Sequence, residues 1–234
     1  MPDSEAPRRR RLDQKTVVTA AIALADEEDL DALSMRALAA QLDVVPMALY
    51  KHVADKDDLI GRMVDQIIEC YAPPAAASGW RARVRSRVLN ARAAILTHPW
   101  LGDAIDTRTR RTDTVLAHMN AVAGDFIEDG VSPDLAHYAM HALGNRIWGY
   151  SSEAFQDADA PTPADVDQPA IVEYMTGRFP HVVAIAMEAV SRNPSGSCEP
   201  QAEFEFTLDL LLDSFERLHA AGWESTGRPL GDQV

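Results

Sequence analysis

The sequence predicts an all-α fold in two parts, an N-terminal three-helix helix-turn-helix domain followed by a larger C-terminal helical domain. Three observations predict it. Apolar residues recur at helical spacing from Val17 to Leu218, and no segment sustains the alternation of a strand. Ser34 to Leu59 reads as a short helix, a sharp turn and a second short helix. The Pro- and Ala-rich stretch Ala72 to Gly79 then forms a boundary loop. At 234 residues the chain is long enough to bury a substantial core.

Composition narrows the class. Apolar residues make up 47% and charged residues 25%, ordinary for a globular protein. No apolar run approaches the roughly 18 residues of a membrane helix. The arginines near the start have no apolar stretch behind them, so they do not form a secretory signal, and the expected location is the cytoplasm. Cys70 and Cys198 are too few for a disulfide framework and lack His or Cys neighbours at metal-ligand spacing. No metal or other cofactor is expected. The net charge of -14 at first argues against nucleic acid. Its distribution argues the other way: Arg8, Arg9, Arg10, Arg11 and Lys15 cluster at the front, and Lys51 and Lys56 follow. The acidic remainder keeps the body of the chain away from phosphates.

Residues 1–12 form a basic arm expected to be disordered, either a solvated tail or an arm on a phosphate backbone or in a minor groove. Residues 13–58 follow as the helix-turn-helix domain. Asp13 is a candidate N-cap for a helix over Gln14 to Glu28, with Val17, Val18, Ala21, Ile22 and Ala25 on one face. Ser34 caps a second helix whose Met35, Leu38, Ala39 and Leu42 pack on the first, while Arg36 points away. Asp43-Val44-Val45 is the turn. Pro46 suits the first turn of a third helix, Met47 to Val53, where its missing N–H costs nothing. Leu49 and Val53 face the core, leaving Met47, Ala48, Tyr50 and Lys51 outside. Major-groove insertion requires such a short second helix with small side chains. Met47 or Ala48 can meet a thymine methyl, and Tyr50 and Lys51 can bind phosphates. Asp55, with Asp58 three residues on, caps a fourth helix, and Lys56 at its start suits a phosphate beside exposed N–H groups. The candidate DNA contacts are therefore Arg36, Pro46, Met47, Ala48, Tyr50, Lys51 and Lys56. The competing reading is an ordinary helical hairpin with no DNA role.

The fourth helix carries Ile60, Met63, Val64, Ile67, Ile68 and Tyr71 in one stripe, so it begins beside the reading unit and ends in the next core. Residues 59–222 form the C-terminal domain. Trp80 to Thr97 places Val84, Val88, Ala91 and Ile95 on one face and arginines on the other. Thr109 to Gly130 and Ser132 to about Phe155 are further helices, and the polar loop Gln156 to Pro169 is expected to be mobile. Ala170 to Arg178, Pro180 to Arg192 and Gln201 to Ala221 complete the helices. The last carries Phe206 and Leu210 beside its main stripe, more apolar surface than one side of a core needs, which points to a second chain. Residues 223–234 read as a frayed tail. Met63, Ile67, Trp100, Met119, Phe126 and Trp148 are candidate ligand contacts, weighed against plain core.

An enzyme is the rival class. His137 and His141 stand four apart, a spacing that can chelate a metal. No Glu follows His137 as a metalloprotease motif requires, and no phosphate-cradling glycine loop or nucleophile elbow occurs. No catalytic residue is therefore assigned. A constitutive DNA-binding or interaction protein with a fully packed C-terminal half is a third reading.

With these pieces placed, the sequence resembles the TetR family of bacterial transcriptional regulators. The resemblance rests on Ser34-Met35-Arg36-Ala37-Leu38-Ala39, then Leu49-Tyr50-Lys51-His52-Val53 and Lys56-Asp57-Asp58-Leu59. Asp43 stands where the family usually has Gly, and Asp tolerates the left-handed backbone of a turn. Pro46-Met47-Ala48 departs from the better-known members. Gly130-Val131-Ser132-Pro133 leading into Tyr138, Leu143 and Gly149 resembles a core helix of the tetracycline-repressor type of C-terminal domain, as does Phe204 to Leu218. The resemblance implies a ligand-responsive repressor with a small-molecule effector. It implies a homodimer through the helices over 132–155 and 201–221, set on a palindromic double-stranded operator. Two reading helices must then sit roughly 34–36 Å apart to enter successive major grooves. It also places the 156–169 loop near the pocket. Tetracycline itself is not implied, because Ala72 and Ile105 stand where the tetracycline repressor has histidines that hold drug and magnesium.

Overall fold

The computed structural model describes residues 12–72, 79–107, 111–148, 168–192 and 200–225. Among the described residues every regular element is an α-helix. The helices fall into two compact units, residues 1–148 with 212–234, and residues 149–211.

In the first unit, α1 (Gln14–Glu28) starts where Asp13 accepts the Thr16 N–H at 2.8 Å. It ends at Asp29, whose φ of 74° takes the chain out of the helix. Ser34 caps α2 (Met35–Gln41) by accepting the Ala37 N–H at 3.1 Å. The turn that follows is closed by the Val44 N–H on the Ala39 carbonyl, with Asp43 at φ 52°, the left-handed conformation expected of it. α3 is Pro46–Leu49, shorter than the expected Met47 to Val53. Beyond Leu49 the chain tightens: the His52 N–H bonds the Leu49 carbonyl at 2.8 Å, a three-residue step, and Tyr50 sits at ψ -6°. The inward pair survives this change, because Leu49 and Val53 are both buried.

α4 (Lys56–Glu69) opens with Asp55 accepting the Asp58 N–H at 2.8 Å. Asp58 in turn accepts the Ala54 N–H and the Nε of Arg62, so both acids of the capping pair are used. Leu59, Met63, Val64 and Ile67 are buried in one core with Val17, Val18, Ala21, Leu38 and Leu49. This core also takes in Trp100, Leu101 and Ala104. The last two lie on α6 (Leu101–Asp106), a helix that periodicity does not predict because six residues are too few to show a repeat.

α5 (Trp80–Thr97), α7 (Asp113–Ile127) and α8 (Pro133–Trp148) pack on one another, and α7 also packs on α4. Val84, Val88 and Ala91 of α5 are buried as expected. Its arginines do not all face solvent. Arg92 is buried, and Arg83 and Arg87 both turn to Asp125 on α7, itself buried. A buried carboxylate needs such partners, and their charge outweighs the simple outward expectation. α7 begins at Thr112, which caps it through the Val115 N–H, rather than at Thr109. It closes at Gly130, whose φ of 86° lets the Val131 N–H reach back to the Phe126 carbonyl at 3.1 Å. On α8, Leu135, Ala139 and Leu143 are buried, but Tyr138 is half exposed. Trp223 meets the Tyr138 ring at 5.5 Å, and Ser225 donates its N–H and its hydroxyl to Asp134. The fraying expected from residue 223 therefore does not begin there. These bonds hold the Asp134 carboxyl below its ordinary range, the backbone N–H of Ser225 contributing most.

α11 (Pro200–Ala220) runs through both units. In the first, its Asp213 and Glu216 pair with Arg81 of α5. The second unit holds α9 (Gln168–Arg178), α10 (Pro180–Arg192) and the start of α11. α9 and α10 pack together across Phe179, whose N–H bonds the Met175 carbonyl. The basic arm up to Arg11, the 73–78 segment and the expected continuation of α8 into the 156–167 loop lie outside the described residues.

Candidate nucleic-acid interface and ligand cavity

α2, α3, the turn after α3 and the start of α4 carry all seven candidate DNA contacts. Arg36, Pro46, Met47, Tyr50, Lys51 and Lys56 are exposed, and Ala48 is half-buried. Met47 is 71% exposed and the preceding Val45 68%. Two bare apolar side chains at the start of a one-turn helix have no folding role, since Leu49 and Val53 supply the anchoring. Val45 belongs with the candidates; as a turn residue it carried no periodic signal. Gln14 of α1 steadies the segment after α3, donating its amide to the His52 carbonyl at 2.9 Å.

Farther along α4, a cavity of about 490 Å³ opens among α4, α5, α6, α7 and α8. Val64, Ile68, Val88, Ala91, Ile105, Val115 and Ile147 give it branched and small apolar walls, with Met119 and Met140. Tyr71, Arg87, Arg111, His118, His137 and His141 are its polar lining. Burial pushes the Tyr71 phenol up to about 12, so it stays a hydrogen-bond donor at neutral pH. Burial, and then the nearby Arg87 guanidinium, push the His118 imidazole down toward its neutral form. The two rings meet edge to face at 5.3 Å. His137 and His141 stand 4.6 Å apart, also edge to face. Among the described residues no three His, Cys, Asp or Glu groups converge as a metal site. Ile105, on one wall, offers no metal ligand.

Of the five sequence candidates for ligand contact whose side chains are described, only Met119 is on this wall. Met63 and Ile67 are buried in the core shared with α1. Trp100 is in that core too, donating its indole N–H to Asp26 at 2.7 Å. Phe126 is buried against Trp80, ring centroids 5.1 Å apart. The side chain of Trp148 lies outside the described residues. Size guided that choice, and large apolar side chains went to the core. The usable signal was polar residues on otherwise apolar stripes: His118 one position before Met119, and the His137–His141 pair on α8.

Hydrogen bonds join the two regions. Gln66 of α4 donates to Thr19 of α1, and Thr112 at the cap of α7 donates to Asp65 of α4 at 2.5 Å. Asp26 of α1 accepts from Trp100, and the Nδ1 of His98 lies 2.7 Å from the same oxygen. α4 thus touches the helices beneath the exposed segment at one end and the cavity at the other.

Known proteins place these features in context. Residues 17–63 match the family model described as "Bacterial regulatory proteins, tetR family", and residues 72–218 match "Tetracyclin repressor-like, C-terminal domain". The tetracycline repressor protein class G of Vibrio anguillarum is 29% identical over 215 residues, covering 90% of this chain and 97% of that one. The HTH-type transcriptional repressor DrrR1 of Streptomyces coeruleorubidus is 39% identical over 216 residues, 87% of this chain and 77% of that protein. A crystal structure of a possible TetR family transcriptional regulator from Streptomyces coelicolor A3(2) superposes with a TM-score of 0.68 at 28% identity, covering 88% of this chain and 100% of that one.

Proposed function

The chain belongs to the TetR family of bacterial regulators, and on that premise we propose that it is a transcriptional repressor that leaves its operator when a small molecule fills the cavity beside α4. The observation that carries this reading is the cavity of about 490 Å³, on the scale of sites for drug-sized ligands. A fully packed C-terminal half, the arrangement of a constitutive DNA-binding protein, would leave no such space. Its mechanism is linkage. Ligand binding favours the arrangement of α4 that fits DNA poorly, and DNA then weakens ligand binding by the same factor.

On the DNA side, Pro46, Met47 and Ala48 present the start of α3 to the major groove. Arg36, Tyr50, Lys51 and Lys56 hold phosphates on either side. Dimerisation through α8 and α11 brings two such helices to a palindrome. No helix among the described residues is long and apolar enough to cross a membrane, which fits work on chromosomal DNA in the cytoplasm.

Selection of genomic fragments by the purified protein tests the reading. The expected result is one or a few palindromic sites bound far more tightly than random DNA at the same salt. Binding of all fragments with equal affinity overturns it.

A further inference from the structure

We propose that the effector is an acidic aromatic molecule whose anionic oxygen is received by Arg87 and Tyr71. The proposal rests on the ligand-responsive reading above and goes on to name the chemistry of the ligand.

The wall of the cavity differs from the rest of the chain in its charge. The protein carries 36 acidic and 22 basic residues, yet the cavity lining among the described residues includes Arg87, Arg111 and three histidines and no carboxylate. The polar lining is therefore rich in donors. Arg87 is held in place from behind: its Nε bonds Asp125, which also accepts the Nε of Arg83 at 3.1 Å. Arg83 has a second carboxylate in Asp129. Both guanidinium groups thus pair with carboxylates that are not among the described lining residues. Among the described residues only the Nε of Arg87 is engaged, which leaves its terminal amino groups for a ligand. Such a planar, fixed fork matches a carboxylate or an ionised phenol. Tyr71 keeps its proton and adds a neutral donor beside the same His118 that Arg87 influences. A cationic ligand would give up its hydration and meet like charge, with no acid among the described lining residues to pair with.

The remaining surface selects the body of the molecule. Branched aliphatic walls and the polarizable Met119 and Met140 favour a flat ring system over a hydrogen-bonding one. The edges of Tyr71, His118, His137 and His141 supply aromatic contacts. The volume of about 490 Å³ holds several fused rings.

Three pyrene probes of matched size and one aliphatic acid test this on the full chain by titration calorimetry: pyrenecarboxylate, pyrenecarboxamide, pyrenemethylammonium and heptadecanoate, an aliphatic acid with the same number of heavy atoms as the pyrene acid. Pyrenecarboxylate is expected to bind at least about tenfold more tightly than each of the others. Tyr71→Phe keeps the ring and is expected to weaken pyrenecarboxylate severalfold without changing pyrenecarboxamide. Arg87→Gln is expected to abolish the preference for the acid; because it also releases Asp125, Arg111→Gln on the exposed rim serves as a second variant, expected to narrow the preference. Equal or better binding of the amide or the ammonium overturns the acidic assignment. Tighter binding of heptadecanoate overturns the aromatic one, and binding of none overturns both. Adding each probe to the complex with a selected operator fragment separates the two claims. A clear acid preference without release of DNA leaves the ligand chemistry standing and removes the effector reading.

Discussion

Tyr50 and Lys51, proposed here to bind phosphates, are exposed next to the buried Leu49, so a change at either can be read apart from folding. Replacing either by Ala is expected to weaken operator binding by about tenfold while leaving the melting temperature unchanged. Lys51→Ala should also reduce the slope of log affinity against log salt by about 0.9, the signature of one lost phosphate contact. Fluorescence anisotropy across a salt series measures both, and full affinity in both variants removes the assignment. His118 supports a prediction of the opposite kind, in stability. Its folded value lies below the ordinary 6.5 because it is buried, so the unfolded chain takes up the proton first. Stability from this group is whole above about pH 6.5 and is lost as pH falls from there toward the folded value. His118→Phe keeps a ring against Tyr71 and should make the melting temperature less sensitive to acid between about pH 7 and pH 5. An unchanged pH profile would show that His118 is not held neutral. Neither role was equally visible in the sequence. Tyr50 and Lys51 follow from the spacing of Leu49 and Val53, whereas His118 shares a stripe with apolar residues and resembles core until the empty space beside it is seen.

Long helices were legible because they repeat. α1, α5 and α10 have the boundaries that caps, glycines and prolines announce, and Ser34 and Asp55 cap as their residue types demand. Short or paired features were not. α3 lost its last turn to a tighter step that no period of 3.6 foretells, and α6 is too short to show one. Arg83 and Arg87 looked like a solvated face because their partner, Asp125, lies on another helix. A cavity wall and a core present the same pattern: Val115, Met119 and Val122 recur as a buried stripe would, but face space. At this scale the link to test is between α4 and α7. Thr112 both caps α7 and donates to Asp65 of α4. Thr112→Ser keeps the hydroxyl and serves as the control, and Thr112→Val keeps the shape but removes the donor. Thr112→Val is expected to hold operator affinity without effector within about threefold while reducing effector-induced release by about 1 kcal/mol of coupling. Equal release in the two variants means that the signal reaches α4 by another route.

Assembly follows from surface left uncovered on a strongly acidic molecule. A net charge of -14 disfavours both self-association and DNA binding unless specific surfaces overcome it. On the DNA side we propose that the exposed Lys51 and Lys56 do so. Between copies, apolar area must do so. Phe206 is 66% exposed and Leu210 50%, one helical turn apart on α11, while Phe204, Leu208 and Leu212 of the same helix are buried. A helix that buries one face and leaves a second apolar face bare is suited to a partner helix. Phe206→Glu with Leu210→Glu should therefore give a monomer in light scattering at micromolar concentration, with largely unchanged helical circular dichroism because both side chains are at least half exposed. Two half-sites bound by one dimer gain from effective concentration, a factor of about 10² or more. The monomer should accordingly lose at least about a hundredfold in affinity for a palindrome and little for a single half-site. A variant that remains dimeric at that concentration would place the interface elsewhere. One that is monomeric but keeps full affinity for the palindrome would mean that a single copy reads the operator.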